Sequence, residues 1–241
     1  MCGRFTQQRP TSELARIFEA EDLVDAPGGR FNIAPTDEAA VVVAKEGRRA
    51  IVPYRWGLIP AWSDDPKIAS RTFNARAETV ATSGMFRDAF RRRRCLVPVD
   101  GFYEWLREGK VRQPIHVHDP GDGPLALAGL WAGRRDPESG EVLRTFTIVT
   151  TRPNAFMAGI HDRMPVVVPA SAWATWLDPE PRDPGELRTL LQPSDHIALA
   201  AYPVSILVNN VRNDGAALLK PLPEPGGPAP AAEGPPTLGL A

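Results

Sequence analysis

Cysteine is scarce: Cys2 and Cys95 are the only two in 241 residues. A secreted scaffold stapled by disulfides needs more, so the chain reads as a reduced, cytoplasmic protein whose thiols stay free for chemistry. Long apolar runs are also missing, and nothing in the sequence is long and apolar enough to cross a bilayer. The opening Met1-Cys2-Gly3-Arg4-Phe5-Thr6-Gln7-Gln8 has no apolar centre of the kind a secretory signal carries. A surplus of positive charge is absent too. The net charge is -1, so any nucleic-acid binding must come from a local basic patch rather than a global field. No glycine-rich phosphate loop of the Walker or dinucleotide type occurs, which leaves nucleotide-cofactor chemistry unsupported, and no cofactor is expected. Internal repeats are lacking as well.

What is present suits a soluble domain with a real core. Hydrophobic residues make up 43% and charged residues 24%, both ordinary for a globular protein. Proline is abundant and concentrated at the end, where PLPEPGGPAPAAEGPPTLGLA runs from Pro221. That composition cannot bury enough apolar surface to offset ordering, so residues 1–220 read as the domain and 221–241 as a disordered tail.

Inside the domain, Leu14, Ile17 and Phe18 fall on one face of a helix over Thr11–Ala20. Val41–Val43 and Ile51–Trp56 read as strands around a turn at Lys45-Glu46-Gly47. A second helix is expected over Glu78–Arg94, interrupted near Ser83-Gly84; its Arg91–Arg94 run suits the solvated C-terminal end, where cations oppose the dipole. Short β-rich runs follow at Cys95–Val99, Gly101–Leu106, Pro114–His118, Leu125–Trp131, Arg144–Thr150 and Val166–Val168. Ser171–Leu177 and Pro184–Leu191 read as helices. The pattern predicts a single α+β domain with an antiparallel β-rich core and peripheral helices.

Cys2 carries the most chemical information. A small second residue permits removal of the initiator methionine, which would leave an α-amine beside a thiol. Such a 1,2-aminothiol attacks an aldehyde through nitrogen to give an imine, and sulfur then closes a thiazolidine ring. Reference pKa values of about 7.7–8.0 for the amine and about 8.5 for the thiol keep both partly nucleophilic near neutrality, unlike a lysine at about 10.4. The alternative is a small buried hydrophobe, the commonest fate of a free cysteine.

Three other segments hold polar residues in unexpected places. Asn74 in Thr72-Phe73-Asn74-Ala75-Arg76-Ala77-Glu78 can orient an amine or cap a helix, and Arg76 can hold a phosphate. Glu104 sits among Phe102, Tyr103 and Trp105, where desolvation would raise its pKa toward acid–base duty; it could also face solvent. His161, Asp162 and Arg163 in Gly159–Pro165 offer proton transfer and anion binding, or a surface ion pair.

Taken in series, these segments resemble the SOS-response-associated peptidase (SRAP) family, proteins that shield abasic sites. The strings are Met1-Cys2-Gly3-Arg4-Phe5, Phe31-Asn32-Ile33-Ala34-Pro35, Arg55-Trp56-Gly57-Leu58-Ile59-Pro60, Asn74-Ala75-Arg76-Ala77-Glu78, Gly101-Phe102-Tyr103-Glu104-Trp105, His161-Asp162-Arg163-Met164-Pro165 and Val208-Asn209. The resemblance implies a compact α+β fold and an active centre of Cys2, Asn74, Glu104 and His161. It implies DNA contacts through Arg4, Asn32, Pro35, Trp62, Arg76 and Arg163. Gly84 stands in the loop before Met85-Phe86 where some relatives carry a basic side chain, so the resemblance does not carry that phosphate contact over, though the chemistry is untouched.

The expected activity is covalent capture of abasic sites in single-stranded DNA by a monomer, with self-reversal and weak lyase activity. Two rivals stand beside it. One is a Cys-His-Asn hydrolase or autopeptidase built on Cys2, His161 and Asn74. The other is a plain single-stranded-DNA-binding module in which Cys2 is structural. A zinc site at His116, His118 and Cys95 lacks a second cluster with ligand spacing, so no metal is expected.

Overall fold

A computed structural model of the chain describes residues 2–223 other than 46, 64, 109–110, 136–139 and 181–182. The proposed tail lies outside the described residues from 224 onward, as do Met1 and the turn residue Glu46. In chain order the elements are β1 (Phe5–Gln7), α1 (Thr11–Phe18), β2 (Ala20–Asp22), β3 (Arg30–Ile33), β4 (Glu38–Lys45), β5 (Arg48–Trp56), β6 (Asn74–Arg76), α2 (Arg87–Arg92), β7 (Arg94–Val99), β8 (Gly101–Glu108), β9 (Val111–His118), β10 (Leu125–Arg135), β11 (Val142–Thr151), β12 (Met164–Pro165), α3 (Trp173–Leu177), α4 (Pro184–Thr189) and β13 (Ala200–Pro203). The fold is α+β and rich in strand, as the sequence predicts.

Five strands close on themselves. β11, β10, β7, β4 and β5 pair in turn, and β5 returns to β11 at Arg55↔Thr145 and Trp56↔Phe146. That closing pair is parallel, as are β6–β11 and β2–β5, so the core is not wholly antiparallel. Closure removes exposed edges. A separate antiparallel sheet runs β13-β9-β8-β1-β3.

Strand alternation then divides the apolar residues between two cores. One face of the closed strands gives Val41, Val43, Trp56, Cys95, Val97, Phe146 and Ile148, which join Cys2 and, from the second sheet, Phe5, Phe102 and Val117. The other face gives Val42, Ile51, Leu96, Ala128 and Val149, covered by Leu14 and Phe18 of α1, Phe90 of α2, Trp176 of α3 and Leu187 of α4.

Several boundaries differ from the sequence reading. α1 stops at Phe18 because Glu19 takes a left-handed φ of 50° and Ala20 starts a strand; Leu14 and Phe18 are buried but Ile17 is exposed. Only Arg87–Arg92 of the expected Glu78–Arg94 helix is helical, since turns occupy the segment before it. Arg94 leaves the cationic run to open β7, buried, with its guanidinium donating to the carbonyls of Trp176 and Phe90 at 2.7 and 2.8 Å. Val166–Val168 makes ladder-like bonds to Val149, Ala128 and Ala126, yet the strand itself is Met164–Pro165. No helix among the described residues is long and apolar enough to cross a membrane.

Candidate active site

The N-terminal strand decides where Cys2 goes. β1 pairs antiparallel with β8 at Phe5↔Phe102 and Thr6↔Gly101, and the Tyr103 amide donates to the Arg4 carbonyl at 2.9 Å. This register brings the residues before Phe5 alongside Glu104 on the same pair of strands. Cys2 is fully buried in the shared core. Burial pushes its thiol pKa up, and the negative charge of Glu104 pushes it further the same way.

Asn74 arrives from the other sheet. It opens β6, parallel to β11 and beside Ile148. Its Nδ2 donates to the Cys2 carbonyl at 2.6 Å, tying the N-terminal backbone to the barrel. Asn74 therefore lies on a strand and is not a helix cap.

Glu104 faces inward at 1% exposure. Burial lifts its pKa from 4.5 to about 7, with the charge of Asp162 adding to the rise. A carboxyl group in that range exchanges a proton readily near neutral pH. His161 Nε2 lies 3.8 Å from Glu104 Oε2. The Arg163 amide donates to His161 Nδ1 at 3.0 Å, a contact that suits a neutral ring carrying its proton on Nε2, on the Glu104 side. Asp162 Oδ1, on an exposed side chain, is 2.9 Å from Nδ1 and would accept a proton carried on that nitrogen.

The turn that carries His161 has its own anchors. Asn154 Oδ1 accepts from the Met157 amide at 2.9 Å, and the His161 amide donates to the Met157 carbonyl at 2.9 Å. Sequence reasoning missed Asn154, although an Asn ahead of a short helical turn is a recognisable cap signal.

The six residues expected at DNA divide into two groups. Trp62 is 62% exposed and Arg76 is exposed, with exposed Lys67 and Arg71 between them in the chain. Pro35 is half-buried in a turn whose next residue, Thr36, has a φ of 81°. By contrast, Arg4 and Asn32 are buried and bonded to each other, Nη1 to Oδ1, at 2.7 Å. Arg4 also donates to the Val208 carbonyl at 2.7 Å and lies 6.0 Å from the centroid of the Trp105 ring. Trp105 Nε1 in turn donates to Asn209 Oδ1 at 2.7 Å, so the Val208-Asn209 string packs behind the site. Arg163 is engaged by Glu78 through two contacts, at 2.6 and 3.0 Å, rather than by its neighbour Asp162. Of the six, Arg4 and Asn32 are thus held inside the fold and Arg163 is paired with Glu78, while Trp62 and Arg76 face solvent.

A family model described as SOS response associated peptidase (SRAP) matches residues 1–211. The chain belongs to the SRAP family. Among relatives of this SRAP chain, abasic site processing protein YoqW of Bacillus subtilis is 37% identical over 225 residues, covering 91% of this chain and 99% of the relative. Abasic site processing protein YedK of Escherichia coli is 31% identical over 231 residues, covering 92% and 100%. A crystal structure from Bacteroides thetaiotaomicron shares the fold at a TM-score of 0.81 and 22% identity, covering 92% of this chain and 100% of that one.

The residues weighed as zinc ligands diverge. His116 and His118 stack with ring centroids 5.6 Å apart, against Tyr202, while Cys95 lies in the core between the sheets. Among the described residues no group of three or more His, Cys, Asp or Glu side chains could hold a metal ion. A cavity of about 540 Å³ beside His116, His118, Arg9 and Asp100 includes none of Cys2, Asn74, Glu104 or His161.

Proposed function

We propose that this chain captures abasic sites in single-stranded DNA as a covalent thiazolidine on Cys2, once Met1 has been removed. The observation that carries the reading is the Asn74 amide on the Cys2 carbonyl at 2.6 Å, next to a buried Glu104 with a pKa of about 7. The names of YoqW and YedK, abasic site processing proteins, support the same substrate.

The steps follow from the groups present. The Cys2 amine attacks the aldehyde carbon of the ring-opened sugar, with His161 donating a hydrogen bond to the sugar oxygen. A C–N bond forms and the carbonyl pair moves to oxygen, giving a carbinolamine. Glu104 in its acid form protonates the departing hydroxyl, so water leaves and an iminium remains. The resulting carboxylate takes the thiol proton as sulfur attacks the iminium carbon, and the C–S bond closes the ring. Aldehyde and aminothiol become thiazolidine and water. The same groups run the reverse steps, which gives slow self-reversal. The iminium also acidifies the adjacent sugar carbon, giving weak lyase activity.

Trp62 stacks on a base, Arg76 meets a phosphate and Pro35 borders the strand, while Arg4 and Asn32 shape the wall from within. The chain acts as a cytoplasmic monomer. A thiol peptidase reading is less well supported. Such enzymes rely on a depressed thiol pKa, whereas burial and Glu104 raise that of Cys2.

The test is intact-mass spectrometry of the purified chain with and without an abasic single-stranded oligonucleotide. A mass lacking Met1 and a shift equal to the oligonucleotide minus water are expected. Retained methionine, or an equal shift with Cys2→Ala, would overturn the proposal.

A further inference from the structure

The arginine run at the end of α2 plays no part in the capture chemistry, and the fold shows which surface it occupies. Arg94 turns inward to open β7, whereas Arg91 and Arg92 stay exposed and Arg93 is half-buried. The helix and its C-cap hold four arginines, Arg87, Arg91, Arg92 and Arg93, against a single acid, Asp88. Asp88 Oδ1 lies 3.8 Å from Arg87 Nε, and among the described residues none of Arg91, Arg92 and Arg93 has a carboxylate partner. Three uncompensated cations therefore stand together on a chain whose net charge is -1. A recess of about 350 Å³ is lined by Asp88 and these three arginines alone. A narrower one of about 60 Å³ shares Asp88 and Arg93 with it and is bordered also by Trp62, Gly84 and Met85. The arginines and the exposed Trp62 indole thus belong to one stretch of surface. A Cβ on Gly84 would meet nothing within 4 Å, so the space over that loop is open. Arg93 Nε is buried without a hydrogen-bond partner, which holds the stem of a side chain that has no anion to meet.

We propose that Arg91, Arg92 and Arg93 form a phosphate-binding track that continues the DNA path past Trp62, and that its ligand is the backbone of single-stranded DNA flanking the abasic nucleotide. The proposal rests on the reading of this chain as a single-stranded-DNA binder, and not on the covalent step. Cations beside an exposed aromatic ring are the combination that grips a single strand: the ring stacks on a base and the cations follow the backbone. Arginine forks fit phosphate oxygens. With the net charge of the chain near zero, attraction for a polyanion has to come from a local patch of this kind. The dipole at the end of α2 favours cations there, but it does not account for their place beside Trp62. An acidic protein partner would use the arginines and have no need of the indole.

The salt dependence of binding to an undamaged single-stranded oligonucleotide, read by fluorescence anisotropy, tests the track. Each phosphate contact on a single strand adds about 0.7 to the slope of log K against log salt. The triple variant Arg91→Gln, Arg92→Gln, Arg93→Gln should therefore lower that slope by about 2. Lysine at the same three positions keeps the charge and should keep the slope. An unchanged slope in the glutamine variant overturns the proposal. An equal loss in the lysine variant overturns it too, because the effect would then come from a damaged helix. A loss confined to duplex DNA overturns the assignment to a single strand. Should the triple glutamine variant fail to fold, Arg92→Gln alone, at an exposed side chain, decides the matter through a slope lower by about 0.7. Undamaged DNA carries no aldehyde, so the outcome is independent of Cys2. An unchanged slope with crosslinking of abasic DNA intact removes the track alone, and a lowered slope with no crosslink from the parent chain keeps the track and removes the capture.

Discussion

Glu104→Gln should make the protein more stable at alkaline pH while slowing capture. The carboxyl is almost completely buried and its pKa stands at about 7, against 4.5 in its ordinary state. A raised carboxyl pKa means that the folded chain binds this proton more tightly than the unfolded chain. The stabilisation is full below pH 4.5, falls as the unfolded chain ionises, and is gone once the pH has passed about 7. The interval from 4.5 to about 7, at about 1.4 kcal/mol for each pH unit, gives about 3 kcal/mol. Gln keeps the volume and cannot ionise. Urea denaturation of both proteins at several pH values from 4.5 to 8 isolates the group, because all other titrations cancel in the difference. The variant should gain about 3 kcal/mol relative to the parent across that window. Its crosslinking rate should fall and lose the limb near pH 7. A stability difference that does not change with pH would refute the buried, proton-holding Glu104 on which the acid–base role depends.

His116 offers the opposite sign. Burial lowers its pKa from 6.5 to about 3, so its stabilising contribution is full above pH 6.5 and is lost as pH falls toward 3. At about pH 5 the loss is about 2 kcal/mol, and His116→Phe should abolish it in acid denaturation curves. Trp62→Ala should weaken binding of undamaged single-stranded DNA by about 1–3 kcal/mol, measured by fluorescence anisotropy, with little change in the crosslinking rate at saturating DNA. Arg4→Met strands the Asn32 Oδ1 acceptor in the interior and leaves the Val208 carbonyl only the longer bond from Asn32 Nδ2 at 3.3 Å. The expected destabilisation is about 3 kcal/mol by urea denaturation.

As candidates, Asn74, Glu104 and His161 stand out because each is a polar residue in a place where local pattern calls for something else, and Cys2 because its position would pair a thiol with an α-amine. The aromatic run around Glu104 foretold its desolvation. What sequence pattern cannot carry is partnership across long separations. Arg4 looks like a basic residue near a terminus; only the fold brings it to Asn32 and Val208. Arg94 continues a run of surface arginines until β7 turns it inward onto helix-end carbonyls. The parallel closure of β5 on β11 depends on a left-handed Gly57, φ 123°, where a Cβ would stand 2.5 Å from the Ala69 carbonyl oxygen. The glycine is visible in the sequence, but the backbone it must avoid is not. Short elements such as β2, β6 and β12 lack any period of their own, being held by the ladder they join.

In the proposed capture, burial also sets the order of the chemistry. It raises the pKa of both Cys2 and Glu104, and two anions in one desolvated site oppose each other. In that scheme sulfur remains a thiol while nitrogen, with an ordinary α-amine pKa of about 7.7–8.0, would make the first bond. The thiol can give up its proton only as Glu104 becomes a base and as positive charge builds on the iminium nearby. Cys2→Ser separates these stages. Serine leaves the amine in place, but a hydroxyl is far harder to deprotonate than a thiol. The variant should form an imine that borohydride traps at a rate near that of the parent, yet yield little product stable without reductant. If Cys2→Ser gave as much unreduced, stable adduct as the parent chain, sulfur would have no part in the bond. If it gave no borohydride-trapped adduct either, nitrogen would not be the first nucleophile.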